Sequence, residues 1–276
     1  MEVLQKEIKF VEYDNKKLYV INNKDKDVLN ENSEFLLGSV TKIFTAITLL
    51  VLHQKNIINI NDKVIKYLEN KQFKNITILD LINHVSGMKN INDGHDYDKG
   101  VSKKYKNATE TYNSFKNEKL ITKPKGKFLY SNIGYITLGA IIEHVTDMEY
   151  TNVVEQYILK PLNIQNTDLG ETNIKLYSSK GTKVSKNGYY ERFFASSAGQ
   201  YHSTVNDLIK FADFPKLLNK NTLQILKKIY INWEKDGNNI IIHQGGIIGG
   251  ESSLRYKYNK EWKLLDIYIK LKTITH

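Results

Sequence analysis

The sequence predicts an α+β fold: an antiparallel sheet built from both ends of the chain, flanked by helices, with a mainly helical subdomain inserted between them. Two observations support this. Alternating apolar and polar residues, typical of strands, lie near both termini, whereas helical patterns fill the middle of the chain. We therefore predict a sheet domain formed by residues 1–61 and 169–276, a helical subdomain formed by residues 62–168, and a pocket at the seam between them.

The predicted strands come in two groups. Residues 7–13 and 18–21 alternate around Asp14-Asn15-Lys16, whose turn-forming residues predict a hairpin. The second group consists of residues 239–243, 252–258 and 262–271. Strands from the two groups can pair in one antiparallel sheet.

Between the two groups, one stretch is predicted to be a helix that is buried on every side. Residues 43–52 are apolar except for Thr45 and Thr48, and they contain neither glycine nor proline. Ser39 and Lys42 lie three residues apart at the start of this helix, so their side chains share one face of its first turn. A hydroxyl beside an amine in that position can act as a nucleophile and its base.

Burial is what makes this chemistry possible. Serine needs a partner that removes its proton, and a lysine can do so only when its amine is neutral. Desolvation at the mouth of a buried helix lowers the lysine pKa and so favours the neutral amine. Free backbone N–H groups at the helix start can also face a developing oxyanion.

The same pattern also arises by chance in a chain rich in lysine. Ser86 and Lys89 form a second Ser-x-x-Lys, but a glycine follows the serine and the polar residues 90–94 come next. We assign this second copy to a turn. The interpretation of Ser39 and Lys42 as a catalytic pair therefore depends on the segments that accompany them.

The remaining helices and loops are predicted from local patterns. Thr77 and Thr204, the latter with Asp207, have the composition of helix N-caps. Residues 196–199 are predicted to be a loop of small residues. The other predicted helices span residues 63–68, 77–83, 110–120, 134–145, 150–159, 208–214 and 222–231.

A second segment of interest is Tyr130-Ser131-Asn132. It follows a break at Pro124 and Gly126 and precedes the apolar predicted helix 134–145. Residues two apart on an extended loop point the same way, so the phenol can relay a proton while the amide holds a substrate carbonyl. Tyr-x-Asn occurs four more times in this chain, so only its position between a break and a buried helix distinguishes this copy.

The third segment is His243-Gln244-Gly245-Gly246, at the end of a predicted strand. Glycines have no Cβ, so a substrate backbone can lie against this strand edge. The N–H groups of Gly246 and Ser39 can together form an oxyanion hole, and His243 can orient the substrate or a proton relay. The alternative is a strand that ends in a glycine turn with a surface histidine.

Composition excludes several kinds of chemistry. The chain has no cysteine, which excludes disulfides, thiolate metal ligands and cysteine nucleophiles. Its seven histidines show no metal-ligand spacing, so we expect no zinc site. No stretch is apolar enough to predict a membrane span. The first residues lack the apolar region of a signal peptide, so we expect either a cytosolic protein or one whose export signal precedes this sequence.

The formal net charge of +10 can draw the protein to an anionic polymer or membrane surface, or can simply give a soluble basic surface. The densest lysines lie in residues 98–127, interleaved with tyrosines but without arginine. No nucleic-acid-binding motif is present, so we expect no nucleic-acid partner. We interpret this stretch first as a solvated face and second as a site for an anionic polymer.

Taken together, the three segments resemble the serine β-lactamase and penicillin-binding-protein family, which has the order Ser-x-x-Lys, Tyr-x-Asn and Lys-or-His-x-Gly. The similarity is greatest to the branch of class C β-lactamases, DD-peptidases and related esterases. It extends to Asp80-Leu81-Ile82-Asn83-His84-Val85-Ser86-Gly87, which is similar to the family's LLxHTSG segment, and covers roughly residues 36–271. The resemblance implies a β-lactamase/transpeptidase-like fold.

The resemblance also implies acyl transfer through a covalent acyl-enzyme, without metal or cofactor. Ser39 would be the nucleophile, Lys42 its base and Tyr130 the proton shuttle, with an oxyanion hole formed by the N–H groups of Ser39 and Gly246. The implied catalytic residues are Ser39, Lys42, Tyr130 and His243, and the implied substrate-binding residues are Asn132, Gln244, Gly245 and Gly246.

Two departures from the family bear on the substrate. His243 stands where β-lactamases usually carry lysine, so a permanent positive charge for a substrate carboxylate is missing. Gln244 replaces the usual threonine, whose hydroxyl also contacts that carboxylate. Both departures favour a DD-peptidase-like or esterase-like member over a β-lactamase.

We therefore predict a serine hydrolase or acyltransferase that acts on D-alanyl peptides, β-lactams or small esters. Its substrate would be a small molecule or derive from peptidoglycan, and its place would be the cell envelope. Two alternatives remain open. One is a penicillin-recognising sensor that is acylated without turnover. The other is a protein that binds an anionic cell-wall polymer.

Overall fold

A computed structural model describes residues 5–11, 30–90, 105–169, 172, 176–177, 183–184, 196–229, 234–235, 240–247, 250–259 and 261–272. Within this part of the chain, strands from both ends form one five-stranded antiparallel sheet, in the order β1-β9-β8-β7-β6. The strands are β1 (Gln5–Val11), β2 (Phe35–Leu36), β3 (Leu176–Tyr177), β4 (Lys183–Val184), β5 (His202–Ser203), β6 (Glu234–Lys235), β7 (Ile240–Ile247), β8 (Gly250–Asn259) and β9 (Glu261–Lys272).

Helices pack against this sheet, and the predicted α+β fold class is confirmed. They are α1 (Thr41–Gln54), α2 (Ile78–Ile82), α3 (Ala108–Phe115), α4 (Asn132–Thr146), α5 (Tyr150–Val154), α6 (Ser196–Gly199), α7 (Val205–Phe211) and α8 (Lys220–Leu226). Short 3-10 turns occur at Gly38–Val40, Val64–Lys66, Lys71–Phe73 and Phe214–Leu217, and a π-helical turn, Glu155–Leu159, continues α5. No helix in the described ranges is long and apolar enough to cross a membrane.

The sheet joins the two ends of the chain. β1 pairs with β9, with Val11 opposite Asp266, and the three strands predicted after residue 239 are all present. The predicted turn at residues 14–16 and the second arm of its hairpin lie outside the described residues. The division of the chain into a sheet domain and an inserted helical subdomain stays a prediction.

Helix α1 is the buried centre that the apolar run predicts. All residues from Thr41 to Leu52 are buried. Two of its three threonines donate their hydroxyls to carbonyl groups: Thr45 to that of Ser197 at 2.6 Å, and Thr48 to that of Phe44 at 2.8 Å. A buried hydroxyl without such a partner would be costly, so these bonds allow polar residues inside the core.

Small residues let α4 and α6 approach closely. A Cβ at Gly139 would lie 2.5 Å from the Ser197 hydroxyl and 2.9 Å from the Ala108 Cβ, so only glycine fits there. Ser197 also donates to the Tyr135 carbonyl at 2.8 Å. The prediction of a loop at residues 196–199 is therefore wrong, because packing against α1 and α4 folds these small residues into the short helix α6.

The predicted caps are confirmed. The Thr77 hydroxyl accepts from the Asp80 N–H at 3.1 Å while the Asp80 carboxylate accepts from the Thr77 N–H at 2.8 Å, which forms a capping box at the start of α2. Thr204 caps α7 by accepting from the Asp207 N–H at 3.2 Å.

Strand β7 lies directly against the turn that carries Ser39. A Cβ at Gly245 would lie 2.1 Å from the Leu37 carbonyl oxygen, 2.6 Å from the Ser252 hydroxyl and 3.1 Å from the Ser39 nitrogen. Nothing lies within 4 Å of the corresponding position at Gly246. The two neighbouring glycines therefore differ: only Gly245 is needed for the close approach of strand and turn.

This contrast predicts different outcomes for two alanine substitutions. We expect Gly245→Ala to push β7 away from the Ser39 turn and to lower the free energy of unfolding by about 1–3 kcal/mol, as overpacking does. Gly246→Ala should change it by no more than about 0.5 kcal/mol. Urea unfolding of the two variants beside the wild type measures both. Equal stability of the two variants would show that the strand and the turn are not in contact.

Candidate active site

Ser39 lies in the 3-10 turn that precedes α1. Gly38 has φ +52°, in the left-handed region that glycine tolerates, and this lets the chain turn into the helix immediately after β2. The Ser39 Oγ lies 2.5 Å from the Tyr130 Oη and 3.1 Å from the Lys42 Nζ. Three groups that the sequence places on two separate segments therefore meet at one point.

Lys42 is the most constrained member of this group. It is 0% exposed, and its Nζ contacts the Asn132 Oδ1 at 2.7 Å and the Ala198 carbonyl oxygen at 2.5 Å, in addition to Ser39. Both of these oxygens can only accept, so the amine must donate to each of them. A neutral amine has two hydrogens, and both are used in this way. Its lone pair is then left facing the Ser39 hydroxyl.

The surroundings of Lys42 favour that neutral form. Burial holds the pKa of the Lys42 amine well below its ordinary value of 10.5. The ring faces of Tyr130 and Tyr135, whose centres lie 4.9 and 5.4 Å from Nζ, attract a cation, but the oxygens that the amine contacts carry no formal charge. Desolvation is therefore the dominant influence on this pKa.

The segment that carries Tyr130 is fixed by the start of α4. Ser131 is the N-cap of this helix: its hydroxyl accepts from the Gly134 N–H at 3.0 Å and donates to the Lys89 carbonyl at 2.8 Å. The Asn132 N–H donates to the Asn90 side-chain oxygen at 2.9 Å. Helix capping therefore holds Tyr130 and Asn132 on either side of the Lys42 amine.

The third predicted segment runs along the end of β7. Gln244 and Gly246 are exposed, whereas His243 and Gly245 are buried, as the alternation of a strand requires. The expectation of a surface histidine is wrong, since His243 is 0% exposed. Burial lowers the pKa of His243 to about 3, so this imidazole is neutral. The catalytic role assigned to His243 and the substrate-binding roles of its neighbours stay predictions.

Two contributors to the site escaped the sequence reasoning. The Ala198 carbonyl binds Lys42, but a backbone acceptor leaves no mark on the sequence. His84 packs its ring 4.6 Å from that of Tyr130, between ring centres, and its Nδ1 accepts from the Ser131 N–H at 3.1 Å. The signal for His84 was available, because the segment that resembles LLxHTSG contains it. Among the described residues, no group of three or more His, Asp or Glu side chains is arranged to hold a metal ion.

Comparisons with known proteins show what the chain is similar to. A family model described as Beta-lactamase matches residues 13–236. "Protein flp" of Staphylococcus aureus (strain MW2) is 32% identical over 164 residues, which are 57% of this chain and 32% of that protein. The "Teichoic acid D-alanine hydrolase" of Staphylococcus aureus is 31% identical over 214 residues, 75% of this chain and 52% of that protein. The chain thus spans about a third to a half of the length of these curated relatives.

Solved structures show the same fold. The D-amino acid amidase from Ochrobactrum anthropi SV3 superposes with a TM-score of 0.75 at 21% identity, covering 98% of this chain and 86% of that chain. At this level of identity the likeness supports the β-lactamase/transpeptidase-like fold.

The buried amine predicts how activity depends on pH. A protonated Lys42 has no lone pair for Ser39, so the rate with a neutral ester substrate should fall about tenfold per pH unit below the lysine pKa. Because that pKa is lowered, we expect a plateau at neutral pH and a decline only on the acidic side. The two histidines nearest the site do not produce this decline, since the pKa of His243 is about 3 and that of His84 lies well below 6.5.

The measurement is kcat/KM for one neutral ester between about pH 5 and 10. A rise in rate centred near pH 10, in the ordinary lysine range, would show that the amine is charged at neutral pH. Such a result would remove Lys42 as the base.

Proposed function

Because the chain belongs to the β-lactamase family, we propose that it is a serine hydrolase that forms a covalent acyl-enzyme at Ser39. The observation that carries the proposal is the triangle of Ser39 Oγ, Lys42 Nζ and Tyr130 Oη, in which the hydroxyl lies 3.1 Å from the amine and 2.5 Å from the phenol. The base and the proton relay are thus each within direct hydrogen-bonding reach of the nucleophile.

The hydrogen bonds give each group a direction for proton transfer. With both hydrogens of the neutral amine donated to Asn132 and Ala198, its lone pair is left to take the Ser39 proton across the 3.1 Å between Nζ and Oγ. The Ser39 Oγ then accepts from the Tyr130 hydroxyl. As Ser39 attacks an acyl carbonyl, its proton moves to Lys42, and the N–H groups of Ser39 and Gly246 stabilise the oxyanion.

Collapse of this intermediate completes acylation. The bond to the leaving group breaks, and the leaving oxygen or nitrogen takes a proton from Tyr130. Lys42, which holds the proton taken from Ser39, returns one proton to the phenolate, so that acylation is balanced. Water then attacks the acyl-enzyme and gives its proton to the same groups, which return one to the Ser39 oxygen as the acid leaves. No cofactor takes part in this sequence of steps.

The neutral end of β7 supports a substrate whose leaving group carries no carboxylate. His243 is buried with a pKa of about 3, so it supplies no cation there, and Gln244 offers only an amide. A carboxylate placed against neutral groups would lose hydration without gaining an ion pair. Relatives named as a teichoic acid D-alanine hydrolase and a D-amino acid amidase support a D-alanyl acyl group. We therefore favour D-alanyl esters of neutral alcohols over D-alanyl-D-alanine peptides and β-lactams.

A second candidate function is the binding of an anionic cell-wall polymer. Residues 116–127 lead directly to the Tyr130 segment and expose five lysines, whereas the one acid among them, Glu118, pairs with Lys89 at 2.9 Å. Backbone bonds such as that from the Ile121 N–H to the Gly87 carbonyl, 2.9 Å, tie this basic segment to the loop behind Tyr130. A polymer drawn to these lysines would lie beside the catalytic triangle, which agrees with a place in the cell envelope.

A covalent probe tests the acyl-enzyme directly. We expect a fluorophosphonate or a fluorescent penicillin to add one label, located at Ser39 by mass spectrometry of the digested protein. Ser39→Ala should lose the label and the turnover of a chromogenic D-alanyl ester by about a thousandfold or more, because no nucleophile remains. Circular dichroism and thermal unfolding of the variant, expected to match the wild type, exclude a loss by misfolding.

The same samples separate the alternatives. No label with either probe would contradict the proposed nucleophile. A label followed by no more than one product per protein molecule would identify a sensor. A binding protein would give a different result. Ser39→Ala would still bind an anionic polymer, with an affinity that falls steeply as salt rises, and the wild type would hydrolyse no substrate.

A matched pair of substrates tests the leaving group. An N-acyl-D-alanine ester of glycerol and the same acyl group esterified to D-lactate share one scissile bond and differ in the leaving-group carboxylate. We expect kcat/KM to be at least about tenfold higher for the glycerol ester. Gln244→Lys, at an exposed position, should narrow this ratio by supplying a cation. A preference of the wild type for the lactate ester would overturn the assignment.

A further inference from the structure

We propose that His84 is a positioning residue that holds Tyr130 in place for proton transfer to the leaving group. The inference rests on the proposed function, because it assigns His84 a task within the same reaction. His84 touches neither Ser39 nor the Lys42 amine through the hydrogen bonds described above, so it would act through Tyr130.

The first observation is that His84 binds the chain on both sides of Tyr130. The Leu129 N–H donates to the His84 carbonyl oxygen at 2.7 Å, and the Ser131 N–H donates to the His84 Nδ1 at 3.1 Å. One residue therefore holds the N–H groups of both residues that flank the tyrosine. Rotation of this short segment would break both bonds at once.

The second observation is ring packing. The His84 and Tyr130 ring centres lie 4.6 Å apart with an angle of 34° between the planes, and the Tyr135 ring contacts His84 at 5.0 Å and 33°. Phe128 covers His84 edge-on at 5.5 Å. These contacts leave the Tyr130 ring little freedom to turn its hydroxyl away from Ser39.

The third observation concerns the chemical state of His84. An Nδ1 that accepts a hydrogen bond carries no proton, so the neutral imidazole has its hydrogen on Nε2. Burial holds the pKa of His84 well below 6.5, which preserves this acceptor at neutral pH. A protonated ring would instead turn an N–H towards the N–H of Ser131.

The fourth observation is that the His84 ring buries a polar atom without a partner in the part of the chain that the structure describes, which is energetically unfavourable. His84 is 0% exposed, and within the described ranges its Nε2 has no hydrogen-bond partner. An apolar side chain would avoid this unsatisfied donor, so packing alone does not explain a histidine here. The Nδ1 acceptor for Ser131 is the property that an apolar side chain lacks.

The backbone of His84 points to informative substitutions. His84 has φ +56°, a region that asparagine tolerates better than other residues with a Cβ. Asparagine also carries an oxygen near the position of Nδ1, so His84→Asn keeps the acceptor for Ser131. His84→Leu keeps the bulk and removes the acceptor. His202→Leu is the matched control, because His202 is also a buried histidine with a nitrogen that lacks a partner among the described residues.

The kinetic test compares two D-alanyl esters that differ in their need for a proton. An alkyl ester releases a basic alkoxide that must be protonated, whereas a p-nitrophenyl ester releases an anion that is stable without a proton. We expect His84→Leu to lower kcat/KM about a hundredfold for the alkyl ester and no more than about fivefold for the p-nitrophenyl ester. His84→Asn should recover most of the alkyl ester activity. Equal losses on both esters, as expected for His202→Leu if it loses activity, would overturn the proposal.

A second measurement does not depend on turnover. Hydrogen–deuterium exchange of the peptide that contains residues 128–132 should be faster in His84→Leu than in the wild type, near wild type in His84→Asn, and unchanged in His202→Leu. Unchanged exchange in His84→Leu would overturn the positioning role even if the enzyme is active. If the wild type hydrolyses neither ester, the proposed function fails, whereas the exchange result still decides whether His84 holds the segment.

Discussion

The structure depends on the exclusion of water from the Lys42 amine. Lys42 is fully buried, and its Nζ is surrounded by a serine hydroxyl, an amide oxygen and a backbone carbonyl. An ammonium group in such a place would be unstable without a counter-ion, so the fold favours the neutral base that acyl transfer requires. Each partner comes from a different element: the turn before α1, the start of α4 and the end of α6. The packing of these three elements is therefore also the construction of the site.

Helix α4 connects the site to the rest of the fold. Its first turn holds Asn132 beside the amine, and near its last turn the Glu143 carboxylate accepts from the N–H groups of Ala108, Thr109 and Tyr150 at 2.8 to 3.1 Å. One half-buried carboxylate thus joins the starts of α3 and α5 to the end of α4. Hydrogen bonds at both ends of α4, in addition to packing, therefore hold the helix in position beside the Lys42 amine.

The sequence predicted correctly those features that depend only on neighbouring residues. The apolar run of α1, the caps at Thr77 and Thr204 and the strands after residue 239 each follow from periodicity or from a side chain that bonds to its own helix. It failed at residues 196–199, whose small side chains look like a loop until α1 and α4 close over them. It also missed the Ala198 carbonyl, because any residue carries that group, and the burial of His243, because burial depends on elements far away in the chain.

The pairing of β1 with β9 means that the sheet beside the proposed site is complete only when its last described strand is present. Strand β7 carries the glycines beside Ser39 and pairs with β8. Strand β8 pairs with β9, and β9 also pairs with β1, the first described strand. The nucleophile helix leaves the ribosome early, yet the surface that completes its cleft arrives only with the last described strand. Contacts so distant in sequence form slowly, so we expect the proposed site to be completed only when nearly all of these residues have been translated.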